Sequence, residues 1–230
     1  MNKIPSPQQK GRLLSLDILR GITIAGMILV NNPGSWSSVY SPLQHAQWHG
    51  LTPTDLVFPF FMFIMGVSTF MSLRKFNFQP TRTAILKVVR RTILIFLIGL
   101  GLNWFGQLAG ALANGVGFSE ASTDLGTLRI LGVLQRLALA YGFAALIALI
   151  TKGKYLIGTI VVLLVGYFVI LIFGNGFELS EQNIISVLDR ALWGSDHMYK
   201  DWTLEGERIA LDPEGLLSTK TVCLIGPKIS

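Results

Sequence analysis

The chain has 230 residues, of which 51% are hydrophobic and 14% charged, where a soluble domain carries about 25% charged residues. Mean hydropathy is +0.54, and apolar runs of about 20 residues recur, each long enough to cross a hydrocarbon core of roughly 30 Å. These values exclude a soluble enzyme, a disulfide-stapled secreted domain and a disordered tail, and they predict an all-α, polytopic helical membrane protein. A net charge of +6 does not point to nucleic acid here, because Lys and Arg gather in particular loops. The one cysteine, Cys223, permits no internal disulfide, and no Cys/His spacing suggests a metal.

Five spans are predicted in chain order: Leu13–Asn31, Asp55–Leu73, Leu86–Leu108, Thr127–Ile150 and Tyr155–Phe173. Helices are expected because every backbone polar group in lipid must be satisfied within its own segment. The basic residues alternate between connections. Lys3, Lys10 and Arg12 precede the first span, and 32–54 holds no Lys or Arg. Arg74, Lys75, Arg82, Lys87, Arg90 and Arg91 follow the second span, 109–126 is again empty, and Lys152 and Lys154 mark the fourth connection. The positive-inside rule then puts the N-terminus in the cytoplasm and both His45 and His49 outside. Asp17 and Arg20 interrupt the first apolar run and no A-x-A-like site follows, so it reads as a retained helix rather than a signal peptide.

The segment 174–208, with Trp193, His197, Tyr199 and Trp202, is expected outside. At Asp212–Thr219, DPEGLLST suits a helix start, with Asp212 as N-cap and Pro213 at the first position. KTVCLIGPKIS then follows, too short in apolar length for a sixth span. The expected organisation is a cytoplasmic tail at 1–12, part of a larger membrane bundle at 13–219, and an atypical tail at 220–230 of the kind a truncation or frameshift leaves.

Ionisable groups inside a span are penalised by about 2.5–3.5 kcal/mol at its centre. Asp17, Arg20 and Asn31 fall within about 60° of one another at 100° per residue. They form one polar stripe, either an internal ion pair that fixes packing or the lining of a polar cavity. Arg129 and Arg136 share a face of the fourth span with Gly132 and Ala140, small residues that let another helix approach. Arg136 is expected near mid-span, where it either neutralises a carboxylate such as Asp17 or holds an anionic ligand such as a cofactor phosphate. Thr52-Pro53-Thr54-Asp55 is a capping box with Pro at the first helical position. Pro59, a turn later, is expected to kink the helix near its outer end.

Two of the three histidines lie in SPLQHAQWHG. A loop histidine is usually just solvated. Here the loop precedes a capped helix start, and Asn31 is close in sequence, so an imidazole and a carboxamide at one mouth would supply a general base and a hydrogen-bond donor. No carboxylate in the loop completes a metal ligand set.

The run RLLSLDILRGITIAGMILVNN and the later HAQWHGLTPTDLVFPFFMFIMGVS resemble the heparan-α-glucosaminide N-acetyltransferase family, as does DPEGLLST. The motifs are spread over Arg12–Thr219. The resemblance implies a membrane-embedded acetyltransferase with acetyl-CoA as co-substrate from the cytoplasmic side and an amino-sugar or glycan acceptor on the outer side. It implies that His45, in the HAxW motif, and Asn31, in the VN motif, are catalytic. Asp17 and Arg20 match the family's LDxxRG pattern, and Asp55 falls in the second motif. Family members have about ten or more membrane helices, so this chain is expected to be an incomplete version. Direct transfer and an acetyl-imidazole intermediate both fit the residues. Two other readings fit the polar stripes and the Pro-containing helix: a transporter or flippase of a polar or anionic substrate, and a non-functional remnant. The expected location is the inner membrane if the source is bacterial, with lipid as a partner; oligomeric state is open.

Overall fold

The computed structural model describes residues 13–35, 38–45, 52–123, 126–151, 153–177, 182–198, 201–202 and 208–209. The 1–12 tail, His49, Tyr199, Asp212–Thr219 and the 220–230 tail lie outside the described residues. The expected all-α membrane architecture is present. The described residues fall into two compact units, one built from those up to 45 with 52–68 and the other from 69 onward.

In the first unit, α1 covers Leu14–Asn31 and carries the first predicted span. It stops at an Asn-Asn-Pro-Gly sequence in which Gly34 takes a left-handed φ of 69°. The carboxamides of Asn31 and Asn32 donate back to the carbonyls of Met27 at 3.0 Å and Ile28 at 2.9 Å. Of these two, the Ile28 carbonyl is among the last four of the helix, which have no partner within it. α2, Pro53–Arg74, starts at the capping box and runs unbroken through Pro59. The helix is continuous at the position where the kink is expected. A single Pro in a membrane helix is tolerated when its neighbourhood re-satisfies the freed carbonyl.

The second unit begins within α2. Asn77 and Phe78, at φ 51° and 53°, turn the chain after α2, and Thr81 caps α3 by accepting from the Ala84 amide at 3.3 Å. α3, Arg82–Ala113, has 32 residues, about 48 Å at 1.5 Å per residue. It contains the third predicted span and extends beyond a hydrocarbon core. α4 is the short Phe118–Thr123. α5, Val133–Ile150, and α6, Gly153–Phe173, carry the last two predicted spans. α7, Ile184–Trp193, follows, and two-residue strands Asp201–Trp202 and Arg208–Ile209 pair antiparallel. By length and apolarity, α1, α2, α5 and α6 each qualify to cross a membrane.

α3 and α5 pack antiparallel, and the contact is made by small residues. A Cβ on Gly99 would stand 2.8 Å from Oε1 of Gln135, and one on Gly142 would stand 2.7 Å from Oγ1 of Thr92. Ala138, Gly142, Ala145 and Leu149 follow one another at helical spacing along the buried face of α5. In lipid, helices associate through such close packing because no hydrophobic difference separates a helix surface from the surrounding tails. α6 is the opposite case. Ile157 and Phe173 are 74% and 85% exposed, which suits a helix whose solvent is hydrocarbon.

α5 begins at Val133, six residues later than the predicted start at Thr127. The preceding backbone is engaged elsewhere. The Arg129 carbonyl accepts from Asn103 Nδ2 at 2.9 Å, and the Leu128 carbonyl accepts from His197 Nδ1 at 2.7 Å. The Ile130 amide donates to the His197 carbonyl at 3.4 Å. Arg136 therefore sits in the first turn of α5 and not near mid-span, and Arg129 lies outside the helix. Gly132 takes part in close packing as expected, facing Asn103. The packed positions within the helix are Ala138, Gly142 and Ala145, while Ala140 is only half-buried.

Candidate active site

The loop before α2 is set by short-range bonds. Pro42 lies in a one-turn 3-10 helix, Ser41–Leu43, whose turn is closed by the Gln44 amide on the Ser41 carbonyl at 3.2 Å. Gln44 Nε2 adds a bond to the Val39 carbonyl at 3.1 Å. The hydroxyl of Thr54 reaches the Pro42 carbonyl at 3.5 Å. This brings His45 over the first turn of α2.

There His45 Nδ1 lies 2.7 Å from Oδ1 of Asp55. The other carboxylate oxygen, Oδ2, accepts from the Thr52 amide at 3.0 Å and the Thr52 hydroxyl at 2.8 Å. The carboxylate is thus held on three sides by a side chain from the loop and by the helix cap. The His45 side chain is 52% exposed and that of Asp55 13%. A carboxylate only accepts, so Nδ1 is the protonated ring nitrogen. The tautomer assigned by this bond leaves Nε2 as an acceptor. A base oriented and tautomer-locked by a carboxylate is the arrangement found in catalytic triads.

The sequence singles out both His45 and Asp55, but not that they touch. Its capping pattern marks Asp55 as a cap residue, and it is one. Its second oxygen does the additional job. Asn31 is exposed at the end of α1. Its carboxamide donates to its own helix backbone rather than to His45, so the structure does not join the two by a hydrogen bond. An Nδ2 group has two N–H donors, and the Met27 carbonyl uses one.

Asp17 and Arg20 do meet. Arg20 Nη1 is 3.4 Å from Asp17 Oδ1, and Nη2 donates to Ser68 Oγ of α2 at 3.2 Å. The guanidinium therefore ties two helices of the first unit together. Arg136 belongs to the second unit and is half-buried in the first turn of α5. Among the described residues, no three His, Cys, Asp or Glu side chains gather as metal ligands. His197, from a mixed polar stretch with no motif of its own, clamps the start of α5. Its partner is 69 residues away, and no local pattern signals it.

No protein-family model matches the chain. Two curated proteins are similar to it. The human heparan-alpha-glucosaminide N-acetyltransferase is 37% identical over 141 residues, covering 60% of this chain and 19% of that protein. The mouse protein of the same name is 36% identical over 138 residues, 59% of this chain and 19% of the relative. The resemblance carried by the motifs is thus supported over a shorter stretch than the motifs span. The aligned part amounts to about a fifth of each relative's length.

Proposed function

We propose that this chain forms part of a membrane-embedded N-acetyltransferase that moves acetyl from acetyl-CoA to the amine of an amino sugar or glycan, with His45 as general base. The observation that carries this reading is the 2.7 Å bond between His45 and Asp55, in a chain similar to enzymes named for N-acetyl transfer to a glucosaminide. Acetyl-CoA supplies an acetyl group activated as a thioester. In direct transfer, one of the two routes the residues fit, the acceptor nitrogen forms a bond to the carbonyl carbon, the C–S bond breaks, and the electron pair leaves with sulfur. The amine proton goes to Nε2 of His45, while Asp55 stabilises the imidazolium through Nδ1–H.

Asn31 is assigned the positioning role, its second N–H orienting the acceptor or the developing oxyanion. Arg20, held by Asp17 and Ser68, lines the polar side of α1. The Lys/Arg alternation favours a cytoplasmic N-terminus, which puts His45 and the acceptor outside. Under this orientation the first turn of α5 is at its outer end. Arg136 then suits an anionic group presented from that side, where the helix N-terminus adds its own donors.

The test is acetyl-CoA turnover against a panel of amino sugars in membranes carrying the protein. His45→Ala is expected to lower the rate by about 10²–10⁴-fold, the usual worth of a general base. Asn31→Ala should fall sharply as well, and His49→Ala should be far milder. Normal turnover in His45→Ala with a dead His49→Ala would assign the base to the second histidine.

A further inference from the structure

The connection between α2 and α3 concentrates positive charge. Arg74, Lys75, Arg82, Lys87, Arg90 and Arg91 are all exposed, and no Asp or Glu occurs from residue 56 to residue 119. Among the described residues no carboxylate pairs with any of the six. Arg82 opens α3, at the positive end of the helix dipole, where a cation is unfavourable. Lys87, Arg90 and Arg91 stand three and four apart, the spacing at which like charges repel on a helix. Marking the cytoplasmic side does not require this placement, since charges in the turn alone would do so.

Two of the cations are also held in place. Lys87 Nζ lies 5.5 Å from the centre of the Phe76 ring, and the Arg91 guanidinium 4.8 Å from that of Tyr141. At 100° per residue an apolar stripe runs along the face of α3 that also carries Arg82 and Arg90, turned away from Lys87 and Arg91. Leu86, Val89, Ile93 and Leu97 are 57%, 38%, 52% and 55% exposed, at the i, i+3, i+7, i+11 spacing of one helix face. A ligand that satisfies both features is itself amphipathic, with an anionic head and a hydrocarbon body.

We propose that the α2–α3 turn and the first three turns of α3 form a binding site for an anionic phospholipid. Its phosphate is held by Arg82 and Arg90, and an acyl chain lies along Leu86, Val89 and Ile93. The site is independent of the acetyltransferase reading.

Purified full chain in mild detergent is titrated with phosphatidylglycerol, phosphatidylcholine or inorganic phosphate, and bound lipid is read by native mass spectrometry. Phosphatidylglycerol is expected to bind at least tenfold tighter than phosphatidylcholine and to weaken as salt is raised. Each basic residue near such a surface contributes about fivefold, so Arg82→Gln with Arg90→Gln should weaken binding roughly 25-fold. Four cations remain to preserve topology. Arg82→Lys with Arg90→Lys should keep most of the affinity, and Lys154→Gln, outside the cluster, should change it less than twofold. The wild-type salt titration needs no variant, so the proposal stays testable if the double Gln protein does not fold. Equal binding of the two lipids, or a salt-independent preference, overturns the proposal. So does displacement of the lipid by millimolar phosphate, which would make this a site for soluble phosphates.

Discussion

Asp55→Asn separates the catalytic assignment of the His45–Asp55 pair from its structural one. Asp55 accepts three hydrogen bonds: from His45 Nδ1 at 2.7 Å, from the Thr52 amide at 3.0 Å and from the Thr52 hydroxyl at 2.8 Å. Asparagine offers one acceptor oxygen and one NH2. The Thr52 amide is a fixed donor and cannot reverse, whereas an imidazole can exchange its tautomer. The amide oxygen therefore stays on Thr52 and the NH2 turns to His45. Nδ1 must then give up its proton, Nε2 carries it instead, and the base has no lone pair toward the acceptor. The helix cap survives, so the stability loss should be about 1 kcal/mol or less. Turnover should fall by about 10²–10⁴-fold, the worth of a general base. In serine proteases the equivalent Asp-to-Asn change, which leaves the histidine in the wrong tautomer, costs about 10⁴-fold. Two measurements check this: thioester consumption in membranes, and the ring-nitrogen shifts of 15N-labelled histidine, which distinguish the tautomers without requiring activity. Retention of the Nδ1–H form in Asp55→Asn, or turnover within about threefold of wild type, refutes the assignment.

Cysteines placed at Ser38 and at Thr81 in a Cys223→Ser background should react with an impermeant maleimide on intact cells only at position 38; equal labelling contradicts the proposed orientation. Gly142→Val should lower the melting temperature in detergent, because its Cβ alone would stand 2.7 Å from Thr92 Oγ1 and overpacking costs about 1–3 kcal/mol. Gly158→Val, where nothing lies within 4 Å, is the matched control and should shift it far less. Asn103→Ala removes the donor to the Arg129 carbonyl and should destabilise by about 1–3 kcal/mol if that group stays dry. Faster amide exchange at the start of α5 in this variant, with α6 unchanged, is the expected signature.

The apolar stretches are legible from sequence because a bilayer sets the length of whatever crosses it: four of the five predicted spans fall on helices long and apolar enough to cross a membrane, and the third lies within the longer α3. The capping box is equally local: Thr52, Pro53 and Asp55 state a helix start within four residues. So is the i, i+3 pairing of Asp17 with Arg20. The family motifs single out His45 and Asn31 without any geometry. Tertiary structure decided the rest. His45 reaches Asp55 only because the turn at Ser41–Leu43 folds the loop back over the start of α2. The apolar pattern of LRILG offers no reason to begin α5 later than Thr127. Its backbone is drawn out of the helix by Asn103, 26 residues earlier than Arg129, and by His197, 69 residues after Leu128. Hydropathy records how a residue would partition into lipid, while a hydrogen bond from a distant side chain depends on where the chain returns, and that information is carried by the packed fold alone.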